Sequence, residues 1–231
     1  MSRASTAPTP PVLGVDGWKG AWVAARVAGR GVTAVVTWRH GRFADLLDQD
    51  LAVVAVDIPV GLAVAGRRGC DFAARAVLGR AASRVFLVPP RYALEAATHG
   101  EANALLRAAG EPAVSVQTWG LRAAILEVDA CSEDPRVVEV HPEVSLVHLA
   151  GRVLAPKKTA RGVAERLAAL APWVDVVAAL SSAPLRVPVD DAIDALVAAW
   201  TAQRVAAGQD VAYPAEAPTP GDRGRPMLIH A

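Results

Sequence analysis

The chain has 231 residues, 53% hydrophobic but only 5% aromatic, so its core is built from Ala, Val and Leu, and its length suits one full domain. A formal net charge of +1 leaves no global field that would demand nucleic acid or membrane as a partner. Cys70 and Cys131 are the only cysteines, too few for a disulfide framework or a zinc site.

The opening MSRASTAPTPP lacks the apolar segment of a secretory signal, and residues 1–11 read as a short disordered tail before one domain over residues 12–231. No apolar run reaches membrane-spanning length; the best, Leu51 to Val64, contains Asp57 and Pro59. The expectation is a soluble, cytoplasmic protein with no membrane partner.

Val12 to Val23, VLGVDGWKGAWV, carries the first chemistry. Val12, Leu13 and Val15 are strand formers, a second apolar run spans Ala21 to Val27, and Gly17 and Gly20 allow a hairpin between them. Asp16 has two readings. Either it opens the turn, or it sits in an apolar central strand, where it persists only if paired or bound to something positive.

Gly29 to Gly31 predicts a second turn, Val32 to Trp38 a third strand and Phe43 to Leu47 a short helix. Leu51 to Val56 is a continuous apolar run, the pattern of a strand buried on both faces. Pro59 stops it, so Asp57 lies at the carboxyl end of a central strand, where open α/β sheets place their ligand sites.

Between Arg67 and Arg91 stand six arginines against the single acid Asp71. Cys70 to Ala82 is predicted helical, with Asp71 and Arg75 as an i, i+4 pair. The stretch is either a solvated helix face or a set of phosphate contacts. Tyr92 to Ala109 and Ser115 to Asp129 read as two further helices. Val137 to Val140 is a short strand ending in His141-Pro142-Glu143. Glu143 is then either a site residue beyond that strand or an acid in the first turn of a helix, where the macrodipole favours it.

A second basic segment, Pro156 to Leu170, holds Lys157, Lys158, Arg161 and Arg166. A short helix follows over Trp173 to Leu180. The last long helix opens at Pro188-Val189-Asp190-Asp191, with Asp190 as its N-cap and Ile193, Leu196, Val197 and Trp200 as its apolar stripe. Asp191 and Asp194 lie on one side of it; three acids in five residues exceed what capping requires. Met227 to His230 is a candidate edge strand.

This order predicts an α/β ribonuclease-H-like mixed sheet: three antiparallel strands followed by parallel ones, helices on both faces, and a helical insertion between the fourth and fifth strands. The first and fourth strands are then neighbours, which brings Asp16 beside Asp57, and the last helix adds Asp191 and Asp194. The blocks GVDGWKGAW, VDIPVGL, CDFAAR, HPE and DDAIDALVAAWTA, spread from Val12 to about Ala202, resemble the signature blocks of an uncharacterised bacterial and archaeal domain family. Its members are regarded as predicted ribonuclease-H-like nucleases. The Asp-x-x-Asp-Ala-Leu ending is also similar to that of Holliday-junction resolvases of this fold. The resemblance implies metal-binding, catalytic roles for Asp16, Asp57, Asp191 and Asp194; Glu143 has no equivalent in those resolvases and is a catalytic candidate by position.

Two carboxylates about 4 Å apart repel by roughly 4 kcal/mol at an effective dielectric near 20, so converging acids need a cation. Oxygen-only ligands suit Mg²⁺ or Mn²⁺, which would support two-metal hydrolysis of nucleic-acid phosphodiesters. Arg67, Arg75, Arg91 and Lys158 are the candidates for gripping the phosphates. Two other classes compete. An actin-like sugar kinase or ATPase needs two such domains, and Trp18 stands where its phosphate-binding turn prefers small or hydroxyl side chains. A non-catalytic ligand- or partner-binding module would keep the fold and use the acidic pocket for recognition.

Overall fold

The computed structural model describes residues 9–231, so most of the tail expected over residues 1–11 lies outside the described residues. Strands β1 (Val12–Trp18) and β2 (Ala21–Ala28) form an antiparallel hairpin. Its two-residue turn is Lys19-Gly20, with φ of 51° and 74°, the paired left-handed conformation that matches strand twist. Gly17, expected to serve the turn, instead pairs with Trp22 inside the ladder. Asp16 is therefore a strand residue opposite Val23, and its reading as a turn opener is corrected.

A 3₁₀ turn over Gly31–Thr33 delays β3 to Val35–Gly41, later than the Val32 to Trp38 expected. The helix expected over Phe43 to Leu47 is a 3₁₀ turn, Phe43–Leu46. The apolar run from Leu51 contributes β4 only over Val54–Val56, its earlier residues meeting the start of β1 through Ala52 N–H to Pro11 O at 2.8 Å. With β5 (Val137–Glu139), the sheet order is β3-β2-β1-β4-β5, antiparallel across the first three strands and parallel across β1, β4 and β5.

A helical insertion separates β4 from β5: α1 (Gly69–Leu78), α2 (Arg91–Leu94), α3 (His99–Ala108), α4 (Val116–Gly120) and α5 (Arg122–Asp129). The two long helices expected there are each broken in two. Thr98 caps α3 by accepting from Glu101 N–H at 3.1 Å, a cap that fixes a new start inside the first. Ser115 caps α4 at the expected start of the second by accepting from Thr118 N–H at 3.1 Å, and the break comes later, at Leu121. After β5 come α6 (Pro142–Ala150), α7 (Ala160–Leu170), α8 (Val176–Ser181) and α9 (Val189–Ala206). Asp175, not the apolar Trp173, sets the start of α8, accepting from Ala178 N–H at 3.0 Å. The expected edge strand near the C-terminus is β7 (Ile229–His230), paired with β6 (Ala212–Tyr213) in a separate small sheet. No helix among the described residues is long and apolar enough to cross a membrane.

Strand side chains alternate between faces, and the two cores follow that alternation. Leu13, Val15, Val54 and Val56 pack with Ile125 and Val128 of α5 on one face. Val12, Ala55 and Val138 pack with Leu146 of α6 and Ile193, Leu196 and Val197 of α9 on the other. Period two then places Gly14 and Asp16 of β1, and Asp57 just beyond β4, on the α9 face. Helix α9 lies almost against the backbone there. A Cβ on Gly14 would stand 2.1 Å from both Ala195 O and Ala199 N. Ala192 through Ala199 are all buried, whereas Trp200, expected in the apolar stripe, is only partly so. The helix begins after Pro188, so Asp190 and Asp191 fall in its first turn and the expected Asp190 side-chain cap is not formed.

Gly14→Ala should therefore destabilise the protein by about 3 kcal/mol or more, since the clash is with backbone that no rotamer relieves. Gly17→Ala, whose Cβ meets nothing within 4 Å, should cost far less. Urea midpoints of the two variants check this; equal losses would show that the α9–β1 approach is not tight.

Candidate active site

Asp16, Asp57 and Asp194 line one cavity of about 550 Å³ at the carboxyl ends of β1, β4 and β5. Three elements deliver them: a ladder position, a strand end, and the second turn of α9. Asp57 N–H still bonds Val15 O at 3.0 Å, so the parallel ladder fixes its backbone beside β1. Asp16 and Asp194 are buried, and Asp57 is partly so. Asp16 Oδ1 accepts from Gly17 N–H at 2.8 Å and forms no direct ion pair among the described residues; Lys157 offsets its charge only through space. One oxygen of Asp194, Oδ1, is buried with no donor at all.

The electrostatics follow from that crowding. Burial raises the Asp16 carboxyl well above its ordinary range, and the neighbouring Asp57 and Asp194 raise it further. Burial likewise pushes Asp57 up to about 7, with Glu143 adding to the rise and Lys157 opposing it. Asp194 is pushed up to about 6 by burial, against the pull of Lys157. One cation stands among these acids, and sequence reasoning had not singled it out. Lys157 Nζ donates to Asp194 Oδ2 at 2.5 Å, and Asp194, Asp16 and Asp57 together hold its proton more tightly than usual despite burial.

The remaining candidates divide. Glu143 lies in the first turn of α6, as the helix-terminus reading has it, and also lines the cavity. Its carboxylate is already engaged by Arg84 at 2.5 Å and by the buried Arg166. Lys158 lines the same cavity and is exposed. Asp191 faces an adjoining groove with Lys157, Lys158 and Asp190, though it still adds to the raised Asp16 carboxyl.

Arg67, Arg75 and Arg91 do not line the cavity. Arg67 donates to Pro112 O at 2.6 Å, and Arg75 to Val85 O at 2.8 Å. Arg91 pairs with Asp222 and, at 2.9 Å, with Asp129. The expected Asp71–Arg75 pair is absent: Asp71 accepts from Arg68 at 2.8 Å, and Arg68 also pairs with Glu139 at 2.5 Å. The arginine-rich stretch mostly braces the insertion itself, through Arg67, Arg75 and the Arg91–Asp129 pair, and Arg68 ties it to β5 through Glu139. Arg84, from the 3₁₀ turn Gly79–Arg84, is its one member that lines the cavity. His141, the N-cap of α6, also lines it and contacts Arg84 O through Nε2 at 3.2 Å; burial lowers its pKa.

Among the described residues, no group of three or more His, Cys, Asp or Glu side chains is close enough to enclose a metal ion. The donor set nevertheless fits a hard cation. It consists of carboxylate oxygens, one of them buried without a partner, and Mg²⁺ is commonly held by only one or two carboxylates with water and substrate phosphate completing its shell.

A family model described as "Protein of unknown function (DUF429)" matches residues 14–219. Searches of curated proteins and of solved structures return no match.

Two outcomes follow from the charge balance. Lys157→Met leaves three carboxylates facing one another, and the loss of a half-buried pair should cost about 2 kcal/mol, between the exposed and buried extremes. Chemical denaturation in EDTA reads this. The second concerns pH. With its folded pKa near 7 above an unfolded value near 4, Asp57 holds a proton in the folded state that the unfolded chain has released. Its contribution therefore makes stability fall as pH rises from about 4 to 7, then level off. In EDTA, Asp57→Asn should lose that slope relative to the wild type; parallel stability–pH curves would contradict the raised carboxyl.

Proposed function

We propose that this chain, which belongs to the DUF429 family, is a ribonuclease-H-like, Mg²⁺- or Mn²⁺-dependent nuclease that hydrolyses phosphodiester bonds of nucleic acid. One observation carries the reading: three acids from separate elements share a cavity at the carboxyl edge of the sheet, with their pKa values raised by burial and, in Asp16 and Asp194, by neighbouring acids of the cluster. Keeping such groups together costs stability, the signature of a site tuned for chemistry. The strand order β3-β2-β1-β4-β5 and the insertion after β4 support the ribonuclease-H-like assignment.

Asp16, Asp57 and Asp194 would hold the metal. A divalent ion bound there would lower the pKa of water and polarise the phosphoryl oxygen. The chain itself supplies the rest. Lys158 and Arg84 present positive charge to a phosphate from the cavity wall, as point and forked donors respectively. Glu143, held by Arg84 and Arg166, fixes the Arg84 guanidinium rather than offering a free carboxylate.

The second reading, a non-catalytic binding module, has its own observation. The Lys157–Asp194 pair offsets part of the acidic charge without any metal.

Incubation with single-stranded, duplex, hybrid and branched substrates in Mg²⁺ and Mn²⁺ separates the two. Cleavage of at least one substrate class is expected, abolished by EDTA and reduced by orders of magnitude in Asp16→Asn, because a misplaced metal loses both water activation and oxygen polarisation. Mn²⁺ should also raise the wild-type melting temperature, since it binds only the folded state, and raise that of Asp16→Asn much less. Ligand binding with no turnover in any metal would favour the module.

A further inference from the structure

The cavity has two chemically different walls. Its charged groups are Asp16, Asp57 and Asp194 on the α9 face, Glu143 at the start of α6, Lys157 and Lys158 in the loop after α6, and Arg84 from the 3₁₀ turn Gly79–Arg84. Its apolar lining includes Trp22, Ile58, Phe86, Leu121 and Ala124, all part of or packed against the core on the opposite face of the sheet. Trp22 is fixed in that wall. Its indole N–H donates to Glu127 at 3.0 Å and its ring meets Phe43 edge-on at 5.6 Å between centroids. Phe86 is only partly buried, so its ring can reach a ligand that the enclosed Trp22 cannot.

Building on the proposed function, we infer that the apolar wall is a nucleobase subsite, and that the substrate presents an unpaired nucleotide to the acids. Hydrolysis of a phosphodiester requires a phosphate at the acids, where Lys158 and Arg84 also line the cavity. A cavity of about 550 Å³ has the dimensions of a small-ligand pocket, not of an open backbone-tracking channel. A duplex keeps its bases stacked and would offer this wall only sugar and phosphate, leaving the apolar surface wet. A single unstacked base is flat and has apolar faces, and it would cover Phe86 while its phosphate meets the charged wall. Stacking on an aromatic side chain tolerates any base, so the inferred preference is for strand state, not for sequence.

The test is calorimetric binding to the full chain in Mn²⁺ with two probes, thymidine 5′-monophosphate and 1,2-dideoxyribose 5-phosphate, in which hydrogen replaces the base. The nucleotide should bind on the order of tenfold more tightly, in line with one stacked base. Phe86→Leu, which keeps bulk without a ring, should remove most of that difference and leave the sugar phosphate unchanged; Phe86→Tyr should restore it. Equal affinities for the two probes, a Phe86→Leu variant that discriminates like the wild type, or failure of both probes to bind would overturn the subsite. Base-dependent binding without cleavage of any polynucleotide would keep the subsite and end the hydrolytic reading. Cleavage with no discrimination between the probes would do the reverse.

Discussion

The close approach of α9 to β1 at Gly14 is the constraint on which the rest depends. The absent side chain at Gly14, and the alanines at 195 and 199, let helix backbone come within contact distance of strand backbone. Protein interiors transmit such displacements because they are close-packed. A side chain at position 14 would lift α9 from the sheet, and Asp194 would withdraw from Asp16. The same contact that completes one core also completes the acidic cluster, so stability and site geometry are coupled through one glycine.

Charge is handled in two different ways within the chain. The buried arginines are matched: Arg68, with no exposed surface, meets Asp71 and Glu139, and Arg166 meets Glu143 at the cavity wall. In the cavity Asp16, Asp57 and Asp194 crowd around the Lys157 ammonium, which is hydrogen-bonded to Asp194 alone. Breaking a matched buried pair is costly, yet such a pair adds little net stability over apolar packing, which suits those arginines to fixing the insertion's position. The unmatched cluster is the exception: it brings three raised carboxyls from separate elements into one cavity.

Much of this was legible in the sequence. Alternating and continuous apolar runs located all five strands of the main sheet, and Pro59 marked the end of β4 with Asp57 beyond it. The convergence of Asp16, Asp57 and Asp194 followed from one topological assumption, adjacent first and fourth strands with the last helix packed across the same end; Asp191, expected with them, faces the adjoining groove. Helix boundaries were less legible where a cap such as Thr98 competed with a continuous helical pattern, whereas Ser115 did mark the start of α4. Gly17 was misplaced in the turn because both Lys19 and Gly20 adopt the left-handed conformation, and a lysine there gives no composition signal.

What the sequence by itself determined was which residue types carry charge and which face of each strand they occupy, because backbone periodicity fixes those locally. Only the tertiary structure decided which charges meet. Arg67, Arg75 and Arg91 looked available for phosphate because their acceptors, Pro112 O, Val85 O, Asp129 and Asp222, lie between ten and 131 residues away in the chain. Lys157 looked like one more charge on a helix face, yet it reaches Asp194 across 37 residues. Coulomb energy depends on distance and local dielectric, and both are set by packing between segments that no local pattern joins.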